Sequence, residues 1–328
     1  MRKGYLPLLV LAGLVGAGIY TGKINVASFH KVSSAVSNVV STKSNRADDD
    51  SLGESSGDTI RIASFNIQVF GTAKFNKAEI SDILAQVVRY FDVVAIQEVR
   101  SADETLIPRF VDLVNSGGRN YEYVIGPRLG RTSSKEQYAF LFDTERIEVD
   151  RRTIYTVSDP DDRLHREPLV AQFRVRGLPV HEAFTFKLMN IHTDPDEVPA
   201  ELEGLTDALR AVRSDGSGED DVILLGDLNA DDDHYGALRG VYDLTWALSR
   251  TPTNTQQNHM YDNLLFDRNA TSEFHGRSGV LNLRTEFGLS LEQALAISDH
   301  LPVWGEFSAY EGGGEQRLAT RPDETTPR

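Results

Sequence analysis

Short apolar runs, each closing on an acidic, amide or imidazole side chain, recur along this chain and limit what it can become. They are Phe65-Asn66-Ile67-Gln68, Ile96-Gln97-Glu98, Asn190-Ile191-His192, Gly226-Asp227-Leu228-Asn229 and Ser298-Asp299-His300. Each string ends or follows a segment with strand composition. Polar groups would then gather at the ends of neighbouring strands. Such a gathering offers hard oxygen ligands to a divalent cation and imidazoles to move protons, which is what cleavage of a phosphate diester requires.

No single string carries this conclusion. Asp227 and Asn229 are separated by one residue, so at a strand end their side chains point the same way and could share a phosphate or a metal. Gly-Asp and Asn-Ala are also ordinary turn chemistry. Glu98 at a strand end fits a solvated charge as well as a ligand. His192 fits a partner of a backbone group, and Asp299-His300 a capped turn. Their joint occurrence in one chain is what sets these strings apart.

Strand-like and helix-like segments alternate. Ile60–Ile67, Val93–Gln97, Tyr121–Ile125, Tyr138–Phe142, Leu169–Val175, Phe184–Ile191, Val222–Leu225, Leu264–Phe266 and Pro302–Phe307 read as strands. Ile80, Ile83, Leu84, Val87 and Val88 share one helical face, and Pro199–Val212 is a second helix. Many strands with interspersed helices predict α/β layers. With 328 residues, 40% hydrophobic and 25% charged, the chain suits a globular domain. That domain is expected over 58–310, between a linker at 21–57 rich in Ser, Asn, Asp and Gly and a polar tail at 311–328.

The formal net charge of −15 argues against broad electrostatic attraction to nucleic acid or anionic membrane. A few arginines and a metal still neutralise phosphate locally. Cysteine is absent, so there is no disulfide framework. Arg2 and Lys3 precede an apolar stretch from Tyr5 to Tyr20. Its length lies between a signal-peptide core and a membrane span. Residues 1–20 are therefore expected to be a signal peptide, cut near Val15-Gly16-Ala17, or an uncleaved membrane anchor. Either way the rest of the chain is expected outside the cytoplasm, secreted or tethered.

From Ile60 to Phe307 the chain resembles the endonuclease/exonuclease/phosphatase superfamily, and within it the pancreatic-type deoxyribonucleases. The resemblance extends beyond the metal motifs. It includes Ile62–Gln68 followed by Phe70-Gly71, Ala95–Arg100, Leu129-Gly130-Arg131 with Lys135-Glu136, and Phe140-Leu141-Phe142. It continues through Arg166-Glu167-Pro168, Gly226–Asp231 and Ala294–His300. The resemblance implies a four-layer α/β/β/α sandwich of two packed mixed sheets flanked by helices. It implies a monomeric, Mg²⁺- or Mn²⁺-dependent endonuclease that cuts DNA with little sequence preference and leaves 5′-phosphates. Glu98, with Asn66, would hold the principal metal. Asp227, Asn229 and Asp299 would complete the phosphate and second-metal side. His192 would pair with Glu136, and His300 with Asp262. Arg100, Arg131 and Arg166, together with Asn229, would bind substrate.

The chain departs from that pattern in two places. Ser134 stands where the family lays an aromatic ring against a sugar in the minor groove, and none of the disulfides of vertebrate members can form. Asp159, Asp161 and Asp162 lie where relatives hold structural calcium, and Asp231-Asp232-Asp233 is a second candidate for Ca²⁺. Both runs also fit solvated acidic loops. Two other functions share the resemblance: a sphingomyelinase-like phospholipid phosphodiesterase or other phosphatase, and a catalytically inactive binding module. The Arg-Glu-Pro string argues against the first, and the complete set of acidic and histidine residues against the second.

Overall fold

The computed structural model describes residues 57–132 and 135–313. The expected N-terminal signal or anchor, nearly all of the linker, Ser134 and the tail beyond residue 313 lie outside the described residues.

The strands, in chain order, are β1 (Thr59–Phe70), β2 (Val93–Val99), β3 (Tyr121–Ile125), β4 (Gln137–Asp143), β5 (Ile147–Thr156) and β6 (Leu169–Val175). They continue as β7 (Thr185–His192), β8 (Val222–Asp227), β9 (Leu244–Trp246), β10 (Asp262–Asp267), β11 (Phe274–Val280) and β12 (Val303–Ser308). The helices are α1 (Thr72–Phe75), α2 (Ala78–Val88), α3 (Leu106–Asn115), α4 (Val198–Arg213), α5 (Leu283–Phe287) and α6 (Leu291–Ile297). The strands form two six-stranded sheets, in the orders β11-β12-β1-β2-β4-β3 and β5-β6-β7-β8-β10-β9. Each sheet is mixed, with one parallel pair at its centre: β1–β2 in the first, β7–β8 in the second.

Side chains alternate across each strand, and this sorts the apolar residues into layers. Ile60, Ile62, Val93, Ala95, Phe140 and Phe142 of the first sheet face Phe173, Phe186, Leu188, Ile223, Leu225 and Leu264 of the second. Each phenylalanine buried there contributes about 1.5–3 kcal/mol. The other face of the first sheet, through Ala63, Phe65, Val94 and Ile96, packs against α2, α3, α5 and α6. The other face of the second, through Met189, Ile191 and Leu224, packs against α4. The result is the four-layer α/β/β/α sandwich.

The structure adds elements that the sequence reading left unassigned. The edge strands β5 and β11 are largely solvent-accessible and carry charged residues and glycines. Their composition lacks the apolar runs of the central strands. Helix α3 buries Leu106, Ile107, Phe110, Val111 and Val114 against the first sheet.

Candidate active site

The alternation that builds the inter-sheet core also builds the site. In β1 the residues after Ile60 and Ile62 on that face are Ser64 and Asn66; in β2 Gln97 follows Val93 and Ala95. In β7 Asn190 and His192 follow Phe186 and Leu188, and in β8 Asp227 follows Ile223 and Leu225. Asp262 of β10, on the face of Leu264 and Phe266, and Glu136, on the face of Tyr138 and Phe140, complete the series. At one end of the sandwich, then, hydrocarbon gives way to polar side chains. Several hydrogen bonds there hold the sheets in register, among them two between side chains. Gln97 Nε2 donates to Asn190 Oδ1 at 2.6 Å, and Asn66 Nδ2 to Asp227 Oδ2 at 3.0 Å.

Backbone irregularities bring the remaining groups to this end. The registers of β1 with β2 and of β2 with β4 shift near Asn66–Phe70 and Ile96–Val99. Gln68, Val69 and Glu98 have positive φ, at 35°, 53° and 61°. Such conformations cost about 1–3 kcal/mol each for residues of this kind. In a regular strand Glu98 would point away from Gln97. Here its Oε2 accepts from Val69 N at 2.8 Å and lies 3.1 Å from Arg100 Nε. Gly226 has φ 150°, and a Cβ there would lie 1.9 Å from Ile191 O. Only glycine lets β8 approach β7 this closely before Asp227.

Two imidazole–carboxylate pairs face the same oxygen. His192 Nδ1 lies 2.7 Å from Glu136 Oε1, and His300 Nδ1 lies 2.9 Å from Asp262 Oδ2. The Nε2 atoms of His192 and His300 lie 3.6 and 3.5 Å from Asp227 Oδ2. Asp227 is 1% exposed, and its other oxygen accepts from Asn229 N at 2.9 Å. Burial, reinforced by Asp262, raises the Asp227 carboxyl against the pull of the two histidines. Burial alone would lower both histidines. Glu136 and then Asp227 raise His192 on balance, and Asp262 and Asp227 hold His300 well above the usual range. Burial also works to raise Glu136, but His192, Arg166 and Arg100 hold it low. Each ring therefore has a carboxyl partner at Nδ1 and presents Nε2 to the cleft.

The residues that the resemblance marks for metal lie beside this cluster. Asp299 feels both Glu98 and Asp227, and its Oδ1 is buried without a hydrogen-bond partner. The carboxylates of Glu98 and Asp299 and the amide oxygen of Asn66, which also accepts from Gln68 N, are hard oxygen donors of the kind a divalent cation takes. The orphaned Asp299 oxygen is an atom such an ion would satisfy. The donor set fits.

The arginines divide. Arg100 bridges Glu98 at 3.1 Å and Glu136 at 3.3 Å. Arg166 is 6% exposed, pairs with Glu136 at 3.0 Å and donates to His192 O at 3.0 Å, so it sits behind the His192 pair. Arg131 turns to Asp162 and Glu197, at 3.1 and 2.6 Å. Asn229 donates to Thr193 O at 2.9 Å. Of the acidic runs considered for calcium, Asp159 accepts from Leu164 N and Asp162 holds Arg131. Asp231 holds His234, Asp232 accepts from Ser249 and Asp233 holds Arg239. These carboxylates are committed to separate partners.

Two contributors escaped the sequence reading. Thr253 Oγ1 donates to Asp262 Oδ2 at 2.8 Å and so orients the carboxylate behind His300. Lys74 Nζ donates to the carbonyls of Ile67, Gln68 and Ile297, tying the irregular end of β1 to the end of α6 just before Asp299. Burial lowers its pKa to about 8, against the pull of Asp299 and Glu98. Neither residue stands in a motif.

The family model for the "Endonuclease/Exonuclease/phosphatase family" matches residues 63–300. Deoxyribonuclease-1 of Bos taurus is 33% identical over 264 residues, covering 75% of this chain and 92% of its own length. Deoxyribonuclease-1-like 2 of Mus musculus is 31% identical over 274 residues, covering 79% and 95%. Among solved structures, an endonuclease/exonuclease/phosphatase family protein from Bacteroides thetaiotaomicron superposes with a TM-score of 0.54 at 17% identity, covering 76% of this chain and 95% of that one. A mannosyl-6-phosphatase from the same organism gives 0.51 at 16% identity, covering 75% and 98%. These structural likenesses establish the fold.

Proposed function

The chain belongs to the endonuclease/exonuclease/phosphatase family, and on that footing we propose that it is an exported, divalent-metal-dependent endonuclease that cleaves DNA with low sequence specificity. It is a phosphodiesterase of that family, a hydrolase. The observation that carries the finer reading is the convergence of His192 Nε2 and His300 Nε2 on Asp227 Oδ2 at 3.6 and 3.5 Å. Hydrolysis of a diester needs one group to take a proton from water and another to give a proton to the leaving oxygen. Two imidazoles, each backed by a carboxylate and both facing one cleft, meet that need. One activates the water and the other protonates the leaving 3′ oxygen, so the products carry 5′-phosphates. Glu136 and Asp262 fix the tautomer by holding Nδ1, and they stabilise whichever ring is protonated.

Glu98, Asn66 and Asp299, with Asp227, would hold Mg²⁺ or Mn²⁺, which supplies charge stabilisation to the phosphoryl oxygens when bound. Asn229, with one amide hydrogen on Thr193 O, keeps a second for a phosphate oxygen. Arg100, a quarter exposed beside Glu98 and Glu136, would turn its guanidinium to a phosphate of the substrate. Arg166 acts through the Glu136 pair, and Arg131 meets DNA only by releasing Asp162 and Glu197. The two curated relatives named above are deoxyribonucleases, and their names support DNA as the substrate. Export rests on Arg2, Lys3 and the apolar stretch that follows them, and the same stretch is the proposed membrane tether if it is not cleaved. The large hydrophobics exposed among the described residues are Val69, Val180, Tyr242 and Leu291, each in a different segment. Among the described residues, that scatter offers a lipid-hydrolase reading no inserting hairpin.

The test sets DNA against a choline lipid. The protein is assayed on DNA for release of acid-soluble nucleotides and on sphingomyelin vesicles, each with Mg²⁺ and with a chelator. Chelator-sensitive hydrolysis of DNA alone is expected. Hydrolysis of the lipid in preference to DNA overturns the substrate, and activity on neither substrate supports the inactive module.

A further inference from the structure

At the end of the sandwich remote from the histidine pairs, three carboxylates meet. Asp221 immediately precedes β8, whose other end is Asp227, so the length of one strand, about 20 Å, separates this place from the active site. Glu273 immediately precedes β11, and Glu311 follows β12. One oxygen from each of Asp221, Glu273 and Glu311 lies within 4.8 Å of the others. The three come from segments of both sheets, and Glu219 and Asp220 adjoin them.

This cluster differs from an ordinary acidic surface in its burial. Asp221 and Glu273 are each 1% exposed. Glu273 Oε2 is buried and has no hydrogen-bond partner among the described residues; Asp221 Oδ1 is likewise buried without one at hydrogen-bond geometry, and only the neighbouring Thr271 hydroxyl acts on that carboxyl to lower it, against burial and the acidic neighbours. Two other oxygens are anchored: Glu273 Oε1 accepts from Gly312 N at 2.5 Å and Glu311 Oε2 from Thr185 N at 3.1 Å. The charges that act most strongly on Asp221 are those of Glu273, Glu311 and Glu219, all of its own sign. Burial and these neighbours push the Asp221 carboxyl up to about 9. Buried, orphaned carboxylate oxygens are costly, and their mutual repulsion adds to the cost. A cation removes both terms. Oxygens bound to a common Ca²⁺ at about 2.4 Å are at most about 4.8 Å apart.

We propose that Asp221, Glu273 and Glu311 form a second, non-catalytic divalent-cation site that takes Ca²⁺ and fastens the two sheets together at the end opposite the active site. An all-oxygen donor set from three separate segments favours Ca²⁺, which accepts irregular geometry, over Mg²⁺, which requires a near-ideal octahedron. In a chain without cysteine, the ion supplies the cross-link between distant segments that a disulfide would otherwise provide. The site stands whether or not the substrate is DNA, because none of its residues belongs to the histidine cluster.

The experiment is the melting temperature of the full-length protein, stripped with a chelator and then titrated with Ca²⁺. At a concentration about 100 times the dissociation constant the melting temperature rises by about 5 °C or more. Glu98→Gln keeps that rise, which separates it from the candidate catalytic metal. Asp221→Asn with Glu273→Gln loses it and retains Mg²⁺-supported hydrolysis. With repulsion relieved, the metal-free double variant melts at or above the metal-free wild type. The more exposed Glu311→Gln keeps the fold in any event, and it needs at least about tenfold more Ca²⁺ for half the rise. A wild type that does not respond to Ca²⁺ overturns the proposal, because the carboxyls are then neutralised by protons. A double variant or a Glu311→Gln variant with the full wild-type response overturns it equally.

Discussion

His192, from the second sheet, and His300, from the loop that enters the first, aim their Nε2 atoms at the same oxygen, Asp227 Oδ2, from 3.6 and 3.5 Å. Each ring is backed at Nδ1 by its own carboxylate, Glu136 or Asp262. The site is thus assembled across the sandwich and depends on the register of the two sheets.

His192→Ala and His300→Ala each lower DNA hydrolysis by at least roughly two orders of magnitude, because each deletes a proton-transfer group. The fold survives, since neither ring fills the apolar core. Steady-state rates beside far-ultraviolet circular dichroism check both halves, and near-wild-type rates would remove the histidines from the mechanism.

Asp262→Asn moves the His300 limb of the pH–rate profile to lower pH. Burial favours the neutral ring, and the carboxylates of Asp262 and Asp227 overcome it. An amide in place of Asp262 removes the larger of those two attractions, so the imidazolium loses its proton at a lower pH. The profile of the variant against wild type reads the shift directly; an unmoved limb assigns it to another group.

Glu98→Gln raises the Mg²⁺ concentration needed for half-maximal rate, because a neutral amide binds a hard cation far more weakly than a carboxylate does. An unchanged titration curve would place the metal elsewhere.

Glu201 gives stability a pH dependence of known sign. Burial raises its carboxyl to about 7, despite hydrogen bonds from Asp194 N and His165 N. In the unfolded chain a glutamate titrates near about 4.3. Its contribution is therefore fully present below that value and is lost as pH rises through about 7. Glu201→Gln removes this dependence. Between about pH 5 and pH 8 the wild type loses on the order of 2 kcal/mol more than the variant, as measured by denaturant unfolding. Parallel curves would show Glu201 already ionised at the lower pH.

Gly226→Ala destabilises the protein by at least about 3 kcal/mol, through a backbone conformation hostile to a side chain and a collision with Ile191 O. Denaturant midpoints measure this, and a loss below about 1 kcal/mol would mean that β7 and β8 separate easily.

Much of this architecture is legible in the chain. Central strands such as Val93–Val99 and Val222–Asp227 are buried on both faces and read as continuous apolar runs. The polar residue that closes each run keeps the alternation, so strand parity alone sends Asn66, His192 and Asp227 to the space between the sheets. Glu98 breaks that parity, and its place depends on a left-handed backbone that composition does not signal. Edge strands β5 and β11 were hidden for the opposite reason: one face is wet, and their residues follow solvent rather than a core. Arg166 looks like a surface charge in sequence, yet it is buried behind Glu136. Lys74 and Thr253 act on carbonyls and a carboxylate brought near only by folding.

The most direct test of the account is nicking of supercoiled plasmid by the wild-type protein in Mg²⁺, with end-group analysis of the products. The account predicts nicked circles that carry 5′-phosphate and 3′-hydroxyl termini, and no reaction in chelator. Plasmid left intact in Mg²⁺ or Mn²⁺, or cut to 3′-phosphate ends, would contradict it.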